Sequence, residues 1–101
     1  MALVPVGTGE NIAVSSTAIG PTAAAVTSKV VMGTFWLKSG GKIHHNIAST
    51  PTAAGVTGDN GQSLDDKWEV WGRDNVLNFL MVKRTGEADA VVAVQYFGDR
   101  S

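Results

Sequence analysis

The run from Lys29 to Lys38 constrains this chain more than any other segment. Val31, Gly33, Phe35 and Leu37 fall on one side at a period of two, and Val30, Met32, Thr34 and Trp36 fall on the other. Both sides are largely apolar. A strand of that kind needs cover on both faces, which places it at the centre of a sandwich or at a contact between subunits.

The rest of the chain supplies further short extended runs. Asn11 to Ile19 alternates weakly and closes at Gly20-Pro21. Ser39-Gly40-Gly41 joins the central strand to Lys42 to Ala48 in a hairpin, with Ile43, His45 and Ile47 sharing a face. Lys67 to Trp71, Val76 to Arg84 and Ala90 to Phe97 follow, separated by polar, glycine-containing turns. Leu77, Phe79 and Met81 share one face of their run, and Val92, Val94 and Tyr96 share one face of the last. Thr22 to Ser28 fits neither helix nor strand cleanly, because Ala23-Ala24-Ala25 gives way to the β-branched Val26 and Thr27. No segment combines helical apolar spacing with caps. The expected fold is all-β: a small antiparallel β-sandwich, jelly-roll-like, of about six to eight short strands. Its core is expected from Phe35, Trp36, Leu77, Phe79, Val92, Val94 and Tyr96.

The 101 residues suffice for one modest core. Met1 to Asn11 carries Pro5, Gly7 and Gly9 and shows no periodicity, so residues 1–11 read as an arm, flexible or ordered by a partner, ahead of a single sandwich domain over 12–101. Charge is uneven. Only Glu10, Lys29, Lys38, Lys42 and Asp59 are charged up to Leu64, and charged residues make up 17% of the chain, against about 25% in typical soluble domains. Such a surface suits assembly. The loop from Ser49 to Ser63, with Pro51, is long enough to be interfacial.

The same composition narrows the function classes. A net charge of −1 without a basic patch argues against binding nucleic acid through its phosphates. The absence of cysteine excludes disulfides, thiolate metal sites and a cysteine nucleophile. No apolar run reaches the roughly 18 residues of a membrane span, and the N-terminus lacks the basic start of a secretory signal, so no membrane association and synthesis in the cytoplasm are expected. His44 and His45 are adjacent in a strand and point to opposite faces, which disfavours a shared metal and leaves no catalytic triad. Asp59, Asn60, Gly61, Asp65 and Asp66 gather oxygen ligands, but their spacing is not that of a calcium-binding EF-hand, and Asn60-Gly61 reads as a turn. Gly7-Thr8-Gly9 lacks the third glycine of a dinucleotide fingerprint, which would fall at Ile12. No cofactor, no metal and no enzymatic activity are expected. Trp36, Trp68 and Trp71 suggest either a sugar-stacking platform or core packing, and core packing is the stronger reading for a small β fold.

The C-terminal half carries a family resemblance. Pro51-Thr52, Gly55, Leu64, Asp66, Gly72, Asn75, Leu77, Phe79, Val82, Arg84, Gly86, Asp89, Ala90, Val94 and Tyr96 resemble a pattern of turns and core positions in small virion proteins of tailed bacteriophages. Ser16 to Thr22 is similar to the opening strand of that pattern and Ile43 to Ala48 to the strand before its Pro-Thr loop, so the likeness spans Val14 to Gly98. His44-His45-Asn46, standing where an Arg-aromatic pair is common, and the heavy Trp68 and Trp71 depart from it. The resemblance implies a capsid decoration (cement) protein on the outside of the virion, bound to the major capsid protein as a homotrimer. A neck, tail or head-fibre subunit is the alternative within the family, and a small carbohydrate-binding module the alternative outside it. In either virion role, Leu3, Val4, Pro5 and Val6 of the arm and Pro51, Thr52 and Val56 of the loop are the expected contacts.

Overall fold

In a computed structural model, which describes residues 2–47, 49–56 and 58–99, the chain is an antiparallel two-sheet β fold. The strands are β1 (Leu3–Val14), β2 (Val30–Ser39), β3 (Ile43–Ile47), β4 (Asn60–Gln62), β5 (Lys67–Trp71), β6 (Phe79–Lys83) and β7 (Ala90–Asp99), with one short helix, α1 (Arg73–Leu77), between β5 and β6. One sheet has the order β1-β7-β2-β5 and the other β4-β3-β6. The molecule is elongated, 45 × 24 × 21 Å, along its long strands.

Period-two alternation positions the core. Along β7, Ala90, Val92, Val94, Tyr96 and Gly98 are buried while the residues between them are half-buried. Phe35 and Leu37 of β2, Ile43 of β3 and Phe79 and Met81 of β6 meet these side chains from the other strands. Phe35 and Phe79 lie with ring centroids 4.7 Å apart, joining the two sheets. Val26, from the turn after Pro21, and Val76, from α1, are also fully buried.

The N-terminal segment is not an arm. Leu3 to Val14 is the edge strand of the larger sheet, paired with β7 from Leu3↔Asp99 to Val14↔Ala90. Between Val6 and Glu10 four residues of β1 oppose two of β7, Val6↔Tyr96 and Glu10↔Val94. Two residues are therefore inserted, and the bulge leaves the even positions on the same face. Gly7 and Gly9 make that bulge with φ of 72° and 74°, a region that costs other residues dearly. Pro5 is tolerated because an edge strand has one side free of the ladder.

Of the expected core residues, Trp36 sits outside, and Leu77 reaches the core from a different element. Trp36 is 39% exposed on the outer face of the larger sheet, because Thr34, Gln95 and Lys67 share that face and Phe35 and Leu37 take the inner one. Leu77 is half-buried against the core from α1, not from a strand. Gly72, at φ 92°, starts that single helical turn, and Asn78 closes it with its side-chain amide donating to the Asp74 carbonyl. The loop after β3 also contains structure: Asn60-Gly61 lies in β4, paired with His45 and His44, and is not a turn.

Candidate functional site

Three surfaces are open to a partner. The first is the free edge of β1. Its twelve residues carry one charge, Glu10, and that carboxylate is turned away from the edge. Glu10 Oε2 accepts from the Tyr96 hydroxyl at 2.5 Å and from the Thr22 backbone N–H at 3.1 Å, while Oε1 accepts from the Thr22 hydroxyl at 2.7 Å. Burial first, and then this hydrogen bond to a carboxylate, raise the Tyr96 hydroxyl far above the usual tyrosine range. At the end of the edge, a concavity of about 610 Å³ is lined by Val4, Pro5, Val6, Gly7, Lys29, Gly98 and Asp99. Of the expected contacts, Leu3 is 37% exposed and Pro5 exposed, while Val4 and Val6 are half-buried on the inner side.

The second surface is the loop after β3, which covers the outer face of the smaller sheet. Pro51 is buried, and the Thr52 N–H donates to Asp59 Oδ2 at 2.7 Å. Asn46 Nδ2 donates to Asp59 Oδ1 at 3.2 Å, and the Thr52 amide chiefly holds the Asp59 carboxyl below its usual range. Asp66 accepts from the Ser63 N–H at 2.8 Å. Both carboxylates serve the chain's own backbone, and among the described residues no three His, Asp or Glu side chains converge as metal ligands. Of the expected loop contacts only Val56, at 59% exposure, presents an open apolar side chain. His44 lies beneath this loop on the outer face, where a Cβ at Gly55 would collide with its ring.

His45 faces the opposite way, into the core. Its ring stacks on Trp68 at 5.4 Å and against Phe79 at 4.7 Å, and Gln62 Nε2 meets its Nε2 at 3.2 Å. Burial chiefly, with His44 alongside and Asp59 opposing, lowers the imidazole pKa to about 4. The two histidines thus share no site.

The third surface is the outer face of the larger sheet. Here Trp36 pairs across to Ala93 on one side and Lys67 on the other, and Ala93 pairs to Asn11. A groove of about 470 Å³ opens above this row and the bulge of β1. Trp71 lies on the same face, 49% exposed, its indole N–H donating to Glu69 at 3.2 Å. Trp68 does not. It is half-buried on the inner face, stacked on Phe35 at 5.6 Å, so Trp68 and Trp71 form no common platform. Sequence reasoning placed Trp36 in the core on size; the signal that would have put it outside is Thr34, the polar residue two positions earlier on the same face. No protein family, curated protein or solved structure matches the chain.

Proposed function

We propose that this protein is a structural subunit of a bacteriophage particle, a decoration (cement) protein that binds the outside of the major capsid lattice as a homotrimer and stabilises the head. The sequence pattern over Val14 to Gly98 suggested the family, and the antiparallel two-sheet fold agrees with it. The observation that carries the reading is the free edge of β1: twelve residues, one inward-turned charge, and Leu3 and Pro5 open to solvent. Soluble proteins usually blunt an edge with lysines or cover it. Among the described residues Pro5, the bulge and the Thr22 contact at Glu10 do so, and the rest of the edge suits strand addition to a neighbouring subunit.

The action is mechanical. Packaged DNA pushes capsomers apart, and a subunit bridging them adds buried area at each junction, on the order of 1,200–2,000 Å² for a stable contact. Repetition over the lattice turns weak single contacts into avidity. A non-catalytic role also accords with two histidines on opposite faces of β3 and carboxylates committed to backbone N–H groups. The test is the copy number of the chain in purified virions, by quantitative mass spectrometry against the major capsid protein. A count comparable to the capsid protein supports a lattice-covering role. A few copies per particle move the protein to the neck, tail or fibres, and absence from the particle overturns the virion reading.

A further inference from the structure

The groove on the outer face of the larger sheet is walled on one side by the bulge of β1 but does not include Leu3 or Pro5, the exposed edge positions on which the capsid reading rests. Along the row Asn11, Ala93, Trp36, Lys67, the small Ala93 leaves a hollow between an exposed amide and an indole. Lys67 Nζ sits 5.4 Å from the centre of the Trp36 ring and steadies it from the β5 side. On the β7 side the cross-strand neighbour of Trp36 is Ala93. Gly7 and Gly9, both at positive φ, flank the exposed Thr8, and Thr8, Gly9 and Asn11 form the far wall.

The polar groups around the hollow are set. Gln95 Nε2 donates to the Tyr96 carbonyl at 3.0 Å, so its Oε1 is left to accept. Asn11 is exposed and its amide makes no hydrogen bond among the described residues. The two charged groups lining the groove are both engaged, Lys67 with Trp36 and Glu10 with Tyr96 and Thr22. The groove volume of about 470 Å³ falls within the range of about 300–1,000 Å³ typical of small-molecule sites.

We infer that this groove is a binding subsite for a neutral hexopyranose, with the apolar C–H face of the sugar ring against Trp36 and its hydroxyls paired with Asn11, Gln95 and Thr34. An aromatic wall opposite amide and hydroxyl groups matches a ligand that is apolar on its ring face and hydroxylated around its rim. A hydrocarbon ligand would leave the Asn11 amide and Gln95 Oε1 without partners. An extended peptide would find the central strands β7 and β2 already paired on both sides, and a nucleotide would bring a phosphate to a groove whose one cation is engaged.

Saturation-transfer NMR with the full chain and a panel of methyl hexopyranosides, at millimolar concentration, tests this. The expected result is transfer to the ring protons from at least one glycoside, reduced about tenfold or more in affinity by Trp36→Ala. Ala93→Leu, which fills the floor and keeps the indole, is expected to abolish it as well, while Trp71→Ala leaves it unchanged. Circular dichroism confirms that each variant is folded. No transfer from any glycoside, or binding that survives both Trp36→Ala and Ala93→Leu, overturns the assignment. Neither result depends on whether the chain is found in virions.

Discussion

The imidazole of His45 lies nearly parallel to the indole of Trp68, 7° between planes and 5.4 Å between centroids, in the interior between the sheets. A charged imidazolium there would lose its hydration among Trp68, Phe79 and the surrounding apolar side chains. His45 is therefore neutral in the native protein, with Gln62 donating to its Nε2.

A stability slope in mild acid follows. The folded-state pKa of about 4 lies below the ordinary histidine value of 6.5, so across that window the unfolded chain binds a proton that the native state refuses. Stability falls as the pH drops from about 6.5 to 4, by about 3 kcal/mol. His45→Phe keeps an aromatic ring in the stack and removes this slope. What remains is the loss at lower pH from Asp59, whose depressed pKa contributes stability present above the ordinary carboxylate range and lost below it. Urea unfolding of both proteins across this range checks the claim, and an unchanged slope in His45→Phe would refute it.

Tyr96 and Glu10 give the corresponding alkaline effect. The Tyr96 hydroxyl is raised above its usual value, so the native state keeps a proton that the unfolded chain releases as the pH rises through about 10. Stability is expected to be flat below that point and to fall above it. Tyr96→Phe abolishes the alkaline slope and costs about 1–3 kcal/mol at neutral pH, because it removes a hydrogen bond to a carboxylate that otherwise has only Thr22. Chemical denaturation at neutral pH and above pH 10 reads both.

Much of the sandwich was legible because alternation survives where strands are regular. Lys67 to Trp71 is β5 to the residue, and β2 and β7 differ from the sequence reading only at their ends. The first strand was hidden by its own bulge. Val4, Val6, Ile12 and Val14 all sit at even positions, but Gly7-Thr8-Gly9 interrupts them, and the two inserted residues that preserve their common face are visible only in the pairing with β7. Trp36 failed for the opposite reason: both faces of β2 are largely apolar, and the one polar side chain in the strand's interior that marks the outer face is Thr34. One register shift, between Val30 and Met32, sends Val30 inward along with Phe35 and Leu37. The groove was illegible because it depends on Asn11, Ala93 and Trp36 coming side by side from three strands.

The three tryptophans should separate cleanly in stability. Trp68 stacks on both Phe35 and His45, so Trp68→Ala is expected to cost about 3–5 kcal/mol. Trp36→Ala and Trp71→Ala, on the solvent face, are expected to cost about 1 kcal/mol or less. Thermal melts of the three variants check the order, and equal losses would contradict the facing described for β5.

Glycines test the close approach of chain segments. A Cβ on Gly20 would overlap the Phe79 carbonyl oxygen, where Ile19 bridges to Met81, so Gly20→Ala forces backbone apart at a cost of about 3 kcal/mol. Gly86 has φ 85° but open space around it, so Gly86→Ala carries only the conformational strain, about 1 kcal/mol. Denaturant midpoints with unchanged m-values report the difference.

The role of the β1 edge needs variants that separate contact from folding. Deleting residues 1–9 removes the ladder from Leu3↔Asp99 to Val6↔Tyr96 and strips Val6 from the core, so the truncation is expected to cost about 2 kcal/mol or more, roughly 8 °C or more in Tm. Loss of lattice binding in that protein would therefore prove nothing about contacts. Leu3→Lys with Pro5→Lys instead places charge on exposed positions of the edge and leaves the inward Val4 and Val6 in place. The double variant is expected to keep its melting temperature within a few degrees while losing co-sedimentation with capsid shells. Retained co-sedimentation at unchanged stability would remove the β1 edge from the interface and direct attention to Val56 and the loop after β3.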